Sequence, residues 1–224
     1  MNHAMVRLLV LKDWYFNRLP ITGFLGVGAA SLLVAGMPSS AAFFAGSVLL
    51  ITLLISVGIH LAMLTILYER SNQTLAFVMS LPISGAEYTA AKLLANLMLF
   101  LGVWLAMLGG AVATVAGAGW LPDGMIPYVV VVLTQILAGY VVLLAVALVT
   151  ESMGWSIAVI VTTNLLLQAV MATVSNIPAV AATLRGETPV WAGPVLWILA
   201  AQTGAILLAL GMAVAAQARK TEFL

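Results

Sequence analysis

The chain has 224 residues, of which 64% are hydrophobic and 7% charged, with a formal net charge of +1. A soluble domain carries about 25% charged and about 45–50% apolar residues, so most of this surface must face lipid rather than water. Near-neutral charge gives no footing for nucleic acid, and the absence of cysteine excludes a disulfide framework and a thiolate metal site.

Residues 1–19 mix apolar and polar side chains. Val6, Leu9, Val10, Asp13, Trp14 and Asn17 follow helical spacing, while Arg7, Lys12 and Arg18 interrupt them. With Trp14, Tyr15 and Phe16 adjacent, the pattern predicts an amphipathic helix lying in the membrane interface. The apolar run that follows is too long for a cleaved signal peptide.

Six transmembrane helices are expected, each near the roughly 20 residues that cross about 30 Å of hydrocarbon. They run from Pro20 to Met37, Ala41 to Leu67, Leu93 to Ala116, Ile126 to Thr150, Trp155 to Ile177 and Pro194 to Ala216. Pro20 is placed in the first turn of its helix, where a proline is tolerated. The runs are continuous rather than alternating, which excludes a β-barrel. The expected fold is therefore all-α and polytopic, with residues 1–224 as a single transmembrane domain. Basic residues give the orientation: with the N-terminus inside, Arg7, Lys12, Arg18, Arg70, Lys92, Arg219 and Lys220 are cytoplasmic and only Arg185 is outside. Both termini are then cytoplasmic, in the inner (cytoplasmic) cell membrane.

Residues 68–92 form the long polar internal segment. Ser71 or Asn72 can cap a short helix, which Leu81-Pro82 ends. Ser84-Gly85-Ala86-Glu87 is a capping box, with Ser84 as the cap and Glu87 reaching back to its amide. At the opposite end, Asn176-Ile177-Pro178 breaks the fifth span while apolar sequence continues, so residues 178–193 read as an outer, re-entrant loop.

Chemistry is sparse. No paired carboxylates, metal-ligand spacing or nucleophile–base set can be defended, which argues against an enzyme. His60 is the one ionisable side chain deep in a predicted span, with Ser56 one turn before it. The fifth span carries Asn164, Gln168, Met171 and Ser175 on one helical face, which reads either as interhelical hydrogen bonding or as the lining of a path for an amphipathic substrate. Thr134, Gln135, Gln202 and Thr203 add uncharged polarity in the fourth and sixth spans. Small residues at Ala106, Gly110, Thr114 and Ala118, and at Gly23, Gly26 and Gly28, mark packing seams. No glycine-rich run precedes a lysine, so any ATP would be bound by another chain.

Tyr68-Glu69-Arg70, Thr74-Leu75, Ser80-Leu81-Pro82-Ile83-Ser84, Glu87-Tyr88 and Lys92, with Leu11-Lys12-Asp13 and Arg18 near the N-terminus, resemble the membrane subunits of ABC type-2 exporters. That resemblance implies a coupling helix from Arg70 to Ser80, with Glu69 at its elbow and Asn72, Gln73, Leu75 and Phe77 along it, seated on a separate ABC ATPase. It also implies a second membrane subunit, in a homodimer or heterodimer, and no cofactor on this chain, ATP and magnesium belonging to the ATPase. The expected function is export of a peptide, antibiotic or lipid-like molecule. A polysaccharide or lipid flippase of the same architecture, and a non-transporting membrane scaffold or immunity protein, are the alternatives.

Overall fold

The computed structural model describes residues 3–67 and 85–218. Among them every regular element is helical: α1 (His3–Ala35), α2 (Ser40–Ala62) running on into a π-helical turn (Met63–Leu67), and α3 (Gly85–Gly117). A 3₁₀ turn (Asp123–Met125) leads into α4 (Ile126–Thr150), then α5 (Met153–Asn176), a short α6 (Pro178–Thr183) and α7 (Gly193–Ala218). Six helices are long and apolar enough to cross a membrane, so the chain is an all-α, multi-pass membrane protein.

The helix ends follow local chemistry. Ser39, in extended conformation, caps α2 by accepting from the Ala42 amide at 3.4 Å, and Pro127 occupies the first turn of α4, where its missing N–H costs nothing. Glu151 closes α4 in the left-handed region, with φ 50°, its amide returning to the Ala147 carbonyl. Pro178 stops α5 at Asn176, as its preceding residue is pushed to an extended conformation.

One expectation is corrected. Pro20 does not begin a helix; it lies inside the single helix α1, which joins the N-terminal segment to the first span without a break. The reason is visible in the packing. Val6, Leu9, Asp13, Asn17, Ile21, Gly28, Ser31 and Ala35 are all buried and recur at three-, four- and seven-residue steps on both sides of the proline. A common buried stripe holds the helix in register even though Pro20 removes one backbone hydrogen bond.

Helix α4 is the centre of the bundle: 72% of its apolar window is buried, against 11–33% for the other five spans. Its own Leu144 is fully enclosed, as are Phe100, Leu54, Val57 and Leu61 of the neighbouring helices. Lipid is as apolar as these side chains, so close backbone approach and polar contacts must hold the helices together. Gly46 supplies one such approach. A Cβ there would fall 2.5 Å from both the Ala35 nitrogen and the Ser31 carbonyl oxygen, so α1 and α2 touch backbone to backbone. The indole of Trp104 donates to the Leu133 carbonyl at 2.8 Å, and that of Trp120 to the Gly36 carbonyl at 3.0 Å.

Beyond α5, the expected apolar loop contains one short helix, α6, with Val180 buried against Val131, Val174 and Val195. The Gly124 amide donates to the Gly186 carbonyl at 2.9 Å, tying the two loops of this end together.

Candidate functional site

The strongest constellation sits where α1, the π-turn, α3 and α4 converge, at the end of the bundle that carries the 68–84 segment. Lys92, one residue after the buried Ala91 on α3, is 1% exposed. Its Nζ donates to both carboxylate oxygens of Asp13 on α1, at 2.9 and 3.1 Å. The side chains of this ion pair are 1% and 5% exposed, so both charges have left water. Neither would be tolerable alone: an effective penalty of several kcal/mol per buried ion is offset only by close pairing and further hydrogen bonds. On the same two helices Val6, Leu9 and Ala91 form a small buried apolar cluster, with Val10 and Tyr88 packed against it.

The pair belongs to a larger polar cluster. Asn17 Nδ2 donates to the Asp13 carbonyl at 2.8 Å, and Asn96 Nδ2 to the Lys92 carbonyl at 2.9 Å. The Thr65 hydroxyl lies 2.6 Å from the Leu61 carbonyl and 2.9 Å from Asn96 Oδ1, two acceptors for one proton. The Tyr140 hydroxyl donates to the Asn96 carbonyl at 3.1 Å, and its ring stacks on Phe100 with centroids 3.8 Å apart. Thr65 stands in the π-turn, whose extra residue per turn alters the angle at which side chains leave the helix. Asn96 therefore joins three helices through one side chain and its own carbonyl.

The sequence reading used Lys92 for orientation and as part of a resemblance, and Asp13 as one polar member of an amphipathic helix. It missed that they meet. A signal was present: Asp13 and Asn17 share the helical face of Val6 and Leu9, the face destined for burial.

The predicted path residues divide. The buried face of α5 is centred on Ser156, Leu167 and Val174, and the stripe flanks it. Asn164 donates to the Ile160 carbonyl at 2.8 Å and borders a cavity of about 40 Å³ shared with Gly58, Gln135, Gly139 and Tyr140. Met171 borders a larger cavity of about 230 Å³, and its carbonyl accepts from the Tyr128 hydroxyl at 3.3 Å. Ser175 is half-buried and returns its hydroxyl to Ala172, whereas Gln168 is exposed. Gln135 and Gln202 bond directly, Nε2 of Gln202 donating to Oε1 of Gln135 at 3.0 Å and also facing the Val131 carbonyl at 3.2 Å.

Glu87 lies half-buried in the first turn of α3, which begins at Gly85, immediately after the proposed cap. Ser84 itself, and Glu69, Arg70, Asn72, Gln73, Leu75 and Phe77, lie outside the described residues. His60 packs edge-on to Phe24 at 5.5 Å, and its buried Nε2 has no hydrogen-bond partner. Of the expected small-residue seams, Gly28 and Gly110 lie tight against Met107 and Leu32, while Gly23 and Gly26 face open space.

Comparison with family models, with curated proteins and with solved structures finds no match. The class is defined by the fold: an all-α membrane protein with six candidate spans, in which a buried charge pair fastens the N-terminal helix to the third span.

Proposed function

We propose that this chain is the permease subunit of an ATP-driven exporter of the ABC type-2 kind, working with a separate ATPase and a second membrane subunit. The substrate class is amphipathic: a peptide, an antibiotic or a lipid-like molecule. One observation carries the reading. The two distant stretches that bear the resemblance, residues 11–18 and 68–92, meet in space through Asp13 and Lys92. A force on the polar segment would thereby reach α1 as well as α3. With both termini inside, the coupling residues Glu69, Arg70, Asn72, Gln73, Leu75 and Phe77 would face the cytoplasm, and Ser84 and Glu87 would stiffen the entry to the third span.

The test is co-purification of the tagged full chain with a soluble Walker-motif ATPase, together with ATP turnover of the complex in liposomes. The complex is expected to be lost on deleting 70–80 or on Glu69→Ala, with the chain still inserted in the membrane. A chain that carries no ATPase, and whose biological effect survives the deletion, is instead a scaffold or immunity protein. Movement of a labelled lipid or glycan in the same liposomes identifies a flippase.

A further inference from the structure

The cavity of about 230 Å³ lies in the half of the bundle remote from the polar cluster, between α2 and α4, with α3 behind it. On α2 its lining runs from Phe43 to Ile51 and on α4 from Tyr128 to Leu133, with Met125 in the turn before α4 and Leu32 and Ala35 from α1. Eight residues of helix rise about 12 Å, so the wall that α2 offers is about as long as eight to ten methylene groups of an extended chain. Its mouth is bordered by Phe44 and Val48, which are 71% and 45% exposed on the lipid-facing side of α2.

The lining forbids a water-filled slot. A bound water needs two to four polar partners. Three hydroxyls reach the wall, those of Ser47, Thr114 and Tyr128. Thr114 already donates to the Gly110 carbonyl at 2.9 Å, and Tyr128 to the Met171 carbonyl at 3.3 Å. Both oxygens can still accept, and Ser47 can do either, but three hydroxyls cannot satisfy the roughly eight molecules that the space would take at roughly 30 Å³ each. An apolar cavity of about 150 Å³ is already enough to bind a small hydrocarbon. This one is larger, walled on α2 along the direction of bilayer chains and bordered by lipid-facing residues.

We infer that the slot between α2 and α4 is a binding site for one acyl chain of a bilayer lipid. The chain enters past Phe44 and Val48 and lies against Phe43, Ala111, Tyr128 and Met171. The inference is independent of the transport reading, since it needs only the membrane location and the shape of the slot.

The experiment uses the full chain in phosphatidylcholine liposomes doped with phosphatidylcholine bearing a photoreactive diazirine on one acyl chain. After illumination, labelled residues are mapped by mass spectrometry. Labelling at Phe43, Tyr128 and Met171 is expected to reach the level at lipid-facing Leu165 and Leu207, while the enclosed Val57 and Leu144 stay unlabelled. Ser47→Phe, which fills the slot from α2, and Ala111→Leu, which fills it from α3, should each reduce labelling at Tyr128 and Met171 to the level at Val57. Wild-type labelling in the slot no greater than at Val57, or full labelling in folded filled variants, would each overturn the site. The wild-type comparison decides the matter even where a filled variant does not fold.

Discussion

Removing either partner of the Asp13–Lys92 pair leaves the other charge buried and unanswered. With Lys92 at 1% and the Asp13 side chain at 5% exposure, neither can reach water without moving α1 away from α3. Breaking such a pair from one side costs about 3–5 kcal/mol. That is about a hundred- to a few-thousand-fold in the folding equilibrium, at about 1.4 kcal/mol per decade. For a chain of this size about 2–4 °C is lost per kcal/mol, so Asp13→Leu or Lys92→Met alone should lower the unfolding midpoint by about 6–20 °C. The double variant Asp13→Leu/Lys92→Met should recover to within about 1 kcal/mol of the wild type, because an apolar pair of similar volume needs no desolvation. Thermal unfolding of the full chain in micelles, run as a double-mutant cycle, measures the coupling directly. Arg185→Met is the control, at an exposed position where a change within about 0.5 kcal/mol is expected. Single variants that each cost less than about 1 kcal/mol, with effects that simply add, would refute the argument.

Gly46→Ala should destabilise by about 1–3 kcal/mol, since the new methyl meets α1 backbone rather than a yielding side chain; the same unfolding assay reads it. Asn96→Leu removes the side-chain bonds to Thr65 and to the Lys92 carbonyl and should cost about 1–2 kcal/mol, with Asn96→Ser recovering little because it cannot span both. Gln202→Leu strands Gln135 Oε1 in the core and should cost about 1 kcal/mol, while Gln135→Leu/Gln202→Leu should cost less than the sum of the two single changes. In a transport assay, Asn164→Leu should slow movement by filling the small cavity beside Gly139, whereas Gln168→Leu, on the exposed side of α5, should leave the rate unchanged; an equal effect of both would mean that the cavity is not on the path.

The helices were legible because a spanning segment advertises itself by length and apolarity, and because Pro38, Pro127 and Pro178 punctuate the chain near their ends. The continuity of α1 was not, because a proline after a polar, basic stretch reads as a helix start, and only the buried stripe on both sides of Pro20 overrides it. The polar stripe on α5 was legible as a set of helical positions, but periodicity gives an angle and not a neighbour. Gln168 and Met171 differ by about two-thirds of a right angle around the helix, yet one is exposed and the other borders a cavity. The Asp13–Lys92 pair is separated by 79 positions, and no local pattern can name a partner at that distance. What the sequence did hold was an acid on an apolar face and a lysine within the first turns of a span, each a charge in need of an answer.

Of the contacts along helix α1, two leave least room to yield: the Asp13–Lys92 pair near its start, and the crossing near its end where Gly46 presses on Ser31 and Ala35. About 27–33 Å of helix lies between them, by the rise per residue. In mechanical terms it is a beam pinned at both supports, and such a beam answers a sideways load by bowing rather than by swinging. The weakest section along the span is at Pro20, where the ladder lacks a rung. A displacement imposed on the first turns is therefore expected to be taken up as curvature at that proline, with the crossing at Gly46 left in place.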